Sequence, residues 1–318
     1  MAERAPVRIG IIGAGGIGGY YGGLLARAGN DVRVLARGEN LEAIRANGLI
    51  ARTPTETWTS NVHASDDAGE LAGDFGEGDF AMIATKAYSL NEIAPAAKVF
   101  AGRGATIVPL NNGVEAADIL ISLGIPRERL LGGVTYISAV RSAPGVGERR
   151  TPLQRVIIGE LGGGLSRRAA DIAAAFVDAG AEGEATSNVT LAVWQKFVFL
   201  SSMAAACGLT RLNIGSVRQK PLGVQLLDRA VNEAVAVGRA RGVALRSDEE
   251  AQVMARINEL PGEVEPSLLL DLRSGSRTEV DFLSGAISRF GDAAGIDTPI
   301  HDTAALALVQ AHATKELA

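Results

Sequence analysis

The sequence predicts an α/β domain with a doubly wound, mostly parallel sheet over residues 1–187, followed by an all-α domain over residues 188–318. Three observations carry the prediction. Short apolar runs of strand length alternate with helical patterns through the first half, the order that makes a parallel sheet with helices on its faces. The first apolar run ends in a glycine turn set between strand and helix. From about Ser187 the pattern becomes helix upon helix. At 318 residues the chain is long enough for two domains with cores of their own.

The first strand is the buried run Ile9 to Ile12, which leads into Gly13-Ala14-Gly15-Gly16-Ile17-Gly18. Leu24, Leu25 and Ala28 follow at helical spacing, and Gly29 marks the stop. Each motif glycine has a physical task. Gly13 permits the tight turn, Gly15 lacks the Cβ that would block a pyrophosphate, and Gly18 lets the helix pack close to the strand. The free N–H groups and dipole of the helix start favour a diphosphate. This is the fingerprint of a Rossmann domain holding a dinucleotide. The second strand, in the run Asp31 to Arg37, closes on Ala36 and Arg37 where an NAD-type fold usually ends in Asp or Glu. A guanidinium there suits a 2′-phosphate, so NADP(H) is the expected cofactor. Glu39, two residues on, speaks for the alternative that Arg37 is an ordinary solvated loop residue.

A short helix over Leu41 to Ala46 ends at Asn47-Gly48, and Leu49 to Ser65 reads as an extra strand or hairpin. Phe80 to Thr85 is a buried strand before Lys86, and a helix covers Leu90 to Phe100. Ala105 to Leu110 is the next strand, then Asn111-Asn112-Gly113 and a helix near Glu115 to Leu123. Leu130 to Val140 and Arg155 to Glu160 read as the last strands of one open sheet. Gly13, Arg37, Lys86 and Asn112 all follow carboxyl ends of strands, where such sheets bind ligands. In the second half, Asn188 to Gly208 is long and apolar, and Pro221 opens a helix to Arg241 that Gly242 stops. Ser247 to Glu250 reads as a capping box. Ser267 to Arg273, Val280 to Ala294 and Ile300 to Glu316 complete the helices. The cleft between the two domains is the expected site.

Composition narrows the function. A net charge of −5 with no long basic run gives no reason to expect nucleic acid. The single cysteine, Cys207, lies among alanines and reads as an inert buried thiol in a reducing compartment. His63, His301 and His312 show no ligand spacing, so no metal is expected. No apolar signal region precedes the first strand, and the uncharged run Phe197 to Leu209 is too short to span a bilayer. The expectation is a cytoplasmic protein with a small-molecule partner and no membrane partner, a homodimer being left open.

Lys196 is the residue with chemistry in it. Its neighbours at helical spacing are Ala192, Val193, Phe199 and Leu200, all apolar. An ammonium on that face is either buried, with a lowered pKa and a proton to donate near neutral pH, or snorkels at the helix edge. The residues alone leave both readings open. Glu279 in Thr278-Glu279-Val280-Asp281 reads as part of a capping box. Ser267 reads as a cap after Pro266, and Asn112 as a turn residue.

Taken together these segments resemble the ketopantoate reductases (2-dehydropantoate 2-reductases). The Gly13 to Gly18 turn, Arg37, Thr85-Lys86-Ala87, Asn111-Asn112-Gly113-Val114, Trp194-Gln195-Lys196 and Arg277 to Phe282 occur in that family's order over nearly the whole chain. The resemblance implies NADPH-dependent reduction of a 2-oxo acid to a 2-hydroxy acid. It implies Lys196 as general acid, Glu279 and Ser267 as substrate-binding, and Asn112 between nicotinamide and substrate. It also implies that Lys86 and Ala139 contact the cofactor. One departure matters. Members in the pantothenate pathway carry asparagines four and eight residues after the lysine, where this chain has Leu200 and Ala204. Helical spacing would put both on one wall of the cleft with Lys196. Apolar groups there favour a more hydrophobic ketone, aldehyde or imine over ketopantoate. A cofactor-binding sensor without turnover is the reading from another class, and it needs neither Lys196 nor Glu279.

Overall fold

Arg8–Ile12 forms β1, with Ile9, Ile11 and Ile12 wholly buried. It is the middle strand of a parallel sheet completed by β2 (Asp31–Leu35), β5 (His63–Ser65), β6 (Phe80–Ile83) and β7 (Thr106–Pro109), in the order β5-β2-β1-β6-β7. The order reverses at β1. The chain leaves β1 toward β2 on one side and later returns to β6 on the other, which makes the crevice that ligands of such sheets occupy. The structure, a computed structural model, describes residues 6–316, and the side chains of residues 6–309.

The chain divides into two compact units, Met1–Asn111 with Ala116–Thr190, and Asn112–Glu115 with Leu191–Ala318. Between its strands the first unit carries α1 (Gly16–Arg27), α2 (Gly38–Asn47), α3 (Ala68–Leu71), α4 (Leu90–Gly102) and α5 (Ala116–Ser122). Its core is aliphatic and aromatic. Tyr21 of α1 meets Phe176 edge-on at 5.3 Å, and the Tyr21 hydroxyl pairs with Thr135 Oγ1 at 2.9 Å.

The expectation of one open sheet is corrected. The segment from Leu49 gives an antiparallel hairpin, β3 (Leu49–Arg52) and β4 (Thr57–Ser60), which belongs to a second sheet. That sheet is mixed, ordered β10-β9-β3-β4 with β8 also on β9. It includes β8 (Gly132–Ala143), β9 (Val146–Gly159) and β10 (Glu182–Thr186). A tight turn with Gly145 at φ 74° makes β8 and β9 an antiparallel hairpin, and β9 pairs in parallel with β3 and β10 in this second sheet. Strand β9 starts nine residues before Arg155, its exposed middle hiding it from an apolar pattern. The helix α6 (Arg167–Asp178) and β10 have no counterpart in the sequence reading.

The second unit contains most of α7 (Val189–Thr210), with α8 (Ile214–Arg218), α9 (Pro221–Ala240), α10 (Glu249–Glu259), α11 (Ser267–Ser274), α12 (Ser284–Ala294) and α13 (Pro299–Glu316). Trp194, Phe197, Leu227, Val231, Ile257 and Ile287 form its core. The α/β-then-α order holds, and Pro221 starts α9 as the sequence predicts. Two expectations fail locally. The capping box at Ser247 does not form, because the cap position falls on Asp248, whose carboxylate accepts from Gln252 Nε2 instead. The helix expected from Val280 breaks into a 3-10 turn, Val280–Phe282, and α12. At 22 residues α7 outruns its apolar stretch, and by length and composition alone it is long enough to cross a membrane. Its Trp194, Phe197, Val198, Met203 and Ala204 to Cys207 are buried in the unit's core, so it packs as a core helix.

Candidate active site and dinucleotide cradle

The first unit holds a cradle at the carboxyl edge of its parallel sheet. Gly13 turns at φ 100°, a conformation in which L side chains are strained. A Cβ on Gly18 would lie 2.0 Å from the Gly13 carbonyl, so helix and turn meet only through glycine. A Cβ on Gly16 would lie 2.6 Å from the Ala139 carbonyl and from Val140, which brings Ala139 beside the turn. Gly15 faces open space. It also caps α1 without a side-chain bond, and no acidic residue lies in the first turn. The first N–H groups of α1 and the positive end of its dipole are thus left for an anion. Asn40 braces the loop, donating to the Ala14 carbonyl at 2.9 Å and accepting from Gly145 N–H at 2.7 Å. The sequence reading missed Asn40, since an asparagine inside a helix carries no such signal.

Other residues of the cradle follow the strands. Arg37 sits two residues past β2 at the start of α2 and is exposed. Its guanidinium forms an ion pair with Glu92 on α4. Lys86 follows β6 and is half-buried. Thr85 and Asn111 lie two residues past β6 and β7, and Asn111 Nδ2 donates to the Thr85 carbonyl at 2.6 Å. Their remaining polar atoms, Thr85 Oγ1 and Asn111 Oδ1, are buried without a partner. A diphosphate seat of bare N–H groups, an open face at Gly15 and orphaned polar atoms beside the turn together fit a dinucleotide.

The second unit brings together three of the predicted site residues. Lys196 Nζ donates to Asn112 Oδ1 at 2.9 Å, and Asn112 Nδ2 donates to Glu279 Oε2 at 3.2 Å. One amide therefore joins an ammonium to a carboxylate, and the two charges fix which end of the amide faces which. Burial lowers the Lys196 pKa to about 8, partly offset by the negative charge of Glu279. Lys196 is half-buried, and its ammonium is held by Asn112. Glu279 is buried and lies before the 3-10 turn, so it is not the first-turn acid of a helix.

The Asn112 segment is held there by two further contacts. Gly113, at φ 94°, passes so close to the 3-10 turn that a Cβ would sit 2.8 Å from the Phe282 carbonyl. Arg289 pairs with Glu115 at 2.7 Å and donates to the Asp281 carbonyl at 3.2 Å.

The remaining residues stand apart from this trio. Ser267 is exposed at the first residue of α11, where Pro266 holds the cap position, so it does not cap the helix. No hydrogen bond joins it to Lys196, Asn112 or Glu279 among the described residues. Ala204 is fully buried in the core and cannot line an open wall, whereas Leu200 is half-buried. No cluster of metal-ligating side chains occurs among the described residues. His301 is buried with its ring held by Ser284 Oγ and the Ala230 carbonyl, and His312 falls outside the described side chains.

Fold and site define a class, an oxidoreductase built on a nicotinamide-dinucleotide domain and acting on a carbonyl or hydroxyl group. Within that class the chain belongs to the ketopantoate reductase family. The family profile described as ketopantoate reductase PanE/ApbA matches residues 9–163, and its C-terminal counterpart matches residues 188–312. A 2-dehydropantoate 2-reductase of Halobacterium salinarum is 31% identical, over 88% of this chain and 91% of its own. A Bacillus subtilis oxidoreductase, YkpB, is 27% identical over 92% of this chain and 95% of its own. The crystal structure of a PanE/ApbA family ketopantoate reductase from Ralstonia eutropha is similar with a TM-score of 0.85 and 30% identity, covering 98% of this chain and 100% of that one.

Proposed function

We propose that this protein reduces a 2-oxo acid to a 2-hydroxy acid with NADPH, and that Lys196 is its general acid. The observation that carries the reading is the chain Lys196–Asn112–Glu279, in which burial has brought a lysine's pKa to about 8. A proton donor works best when its pKa lies near the operating pH.

In this reading the reduced nicotinamide, when bound, supplies hydride to the carbonyl carbon. Lys196 donates an N–H proton to the carbonyl oxygen, becomes neutral, and recovers a proton from solvent. Asn112 holds Nζ at a fixed place, which orients the acid before the substrate arrives. Glu279 keeps the amide turned, and its carboxylate is the group that meets a substrate hydroxyl in this reading. The turn Gly13 to Gly18 seats the diphosphate, and Arg37 takes the 2′-phosphate. Asn111 and Asn112 are joined by one peptide bond, so the end of the cradle and the start of the proton chain are neighbours in sequence.

A second substrate reading rests on Leu200, a half-buried apolar residue one turn beyond Lys196. It favours an oxo acid or ketone with an apolar substituent. NADPH consumption with ketopantoate, with smaller 2-oxo acids and with aryl and alkyl ketones tests both readings. Tight NADPH binding with no turnover across the panel would support a sensor and refute the reductase. Cytoplasmic location belongs to the same proposal.

A further inference from the structure

The reductase reading gives neither Thr85 nor Asn111 a task of its own. Their geometry is unusual. Both sit two residues past adjacent parallel strands, β6 and β7. Asn111 is buried and spends its Nδ2 donor on the Thr85 backbone carbonyl. That bond fixes the amide, so Oδ1 is left as an acceptor only. Thr85 Oγ1 is a hydroxyl that can donate or accept. Neither atom has a protein partner, although both are buried. Such groups cost stability unless something satisfies them.

Their place in the sheet says what that something is. The Thr85 methyl abuts the glycine turn, 2.5 Å from where a Gly13 Cβ would be. A dinucleotide crossing a doubly wound sheet sets one nucleoside on each side of the reversal, with its diphosphate at the central strand. Arg37 follows β2, on one side of β1, while Thr85 and Asn111 follow β6 and β7 on the other. Resting on the dinucleotide reading above, we propose that Thr85 and Asn111 form the polar seat of the nicotinamide nucleoside. Asn111 Oδ1 accepts from a ligand N–H or O–H, and Thr85 Oγ1 completes the pair. Two groups of that nucleoside offer this chemistry, the carboxamide and the ribose hydroxyls.

Thr85→Val keeps the side chain's shape and removes only the hydroxyl. Because that hydroxyl has no protein partner, the apo protein should melt at the parent temperature or above. NADP+ should bind about three- to tenfold more weakly, the loss expected for one neutral hydrogen bond. Asn111→Leu should weaken NADP+ by at least as much. The fragment 2′,5′-ADP, which lacks the nicotinamide nucleoside, should bind all three proteins alike by calorimetry. The 2′-phosphate of ADP-ribose separates the two sources. Weaker binding to the variants assigns the ribose hydroxyls, and unchanged binding assigns the carboxamide. If both variants bind NADP+ as the parent does, solvent is the only partner and the seat is refuted. Equal loss for 2′,5′-ADP refutes it too, since the damage is then to the whole cradle. A parent protein that binds no dinucleotide overturns the cofactor reading itself, and this inference with it.

Discussion

Replacing Glu279 by Gln should move the pH dependence of reduction while leaving its form intact. Lys196 must be protonated to act, so with a pKa of about 8 the parent's kcat/KM is flat below that pH and falls tenfold per unit above it. The negative charge of Glu279 holds this pKa up. The carboxylate reaches the ammonium through one amide, by bonds of 2.9 and 3.2 Å. That puts the charges roughly 8 Å apart, where an effective dielectric constant of about 20 gives an attraction of about 2 kcal/mol. Glu279→Gln removes it and favours the neutral lysine. The descending limb should therefore begin about 1.5 pH units lower, and at about pH 9 the variant should lose roughly twentyfold more than it loses at about pH 6. Initial rates of NADPH loss at fixed, low substrate measure this directly. A common loss at every pH would reflect substrate contacts alone. A limb that stays in place, or a parent limb only above about pH 10, would refute the charge link and Lys196 as the acid.

Other outcomes follow from the same geometry. The folded Lys196 pKa lies below its ordinary value of 10.5, so the unfolded chain binds more protons between about 8 and 10.5 and stability rises with pH across that window. Below about pH 8 the full cost of the buried charge is present, so Lys196→Met should melt no lower than the parent at neutral pH while reduction falls at least about a hundredfold; a much lower melting temperature would show the lysine to be structural. Arg37→Ala should shrink the preference for NADPH over NADH, and Glu92→Gln should strengthen NADPH binding severalfold by freeing the guanidinium; NADPH affinity unchanged in Glu92→Gln would show that the ion pair does not compete. Leu200→Asn should shift kcat/KM toward ketopantoate relative to an apolar oxo acid, whereas Ala204→Asn, forced into a site with no exposed surface, should lower the melting temperature without that shift.

The N-terminal half of the fold is legible because its signals are local. Buried strands read as apolar runs, and the Gly13 to Gly18 turn needs glycine for reasons that hold wherever strand meets helix. Strand β10, with Glu182 and Glu184 in five residues, and the exposed middle of β9 carry no such run, so the second sheet shows in the sequence only as separate strands and not as a sheet of its own. Lys196 stands out because its helical neighbours are apolar. Asn112 and Glu279 do not, since a turn and a cap explain them equally well. Their bonds span 84 and 167 residues, a separation no local pattern reports. The expected wall of Leu200 and Ala204 failed for a related reason. Helical spacing places residues on one stripe, but whether the stripe faces core or solvent is decided by what packs against it.

Four residues from the middle of the N-terminal sequence, Asn112–Glu115, belong to the second unit. This has a genetic consequence. A chimera made by joining one homologue's first 190 residues to another's remainder would look like a clean exchange of halves. It would nonetheless give the incoming Lys196 and Glu279 a foreign partner at position 112, and the incoming Phe282 a foreign neighbour at 113. Shuffled libraries should therefore yield active proteins chiefly when this tetrapeptide travels with the C-terminal half, and the two halves should have diverged as a matched pair.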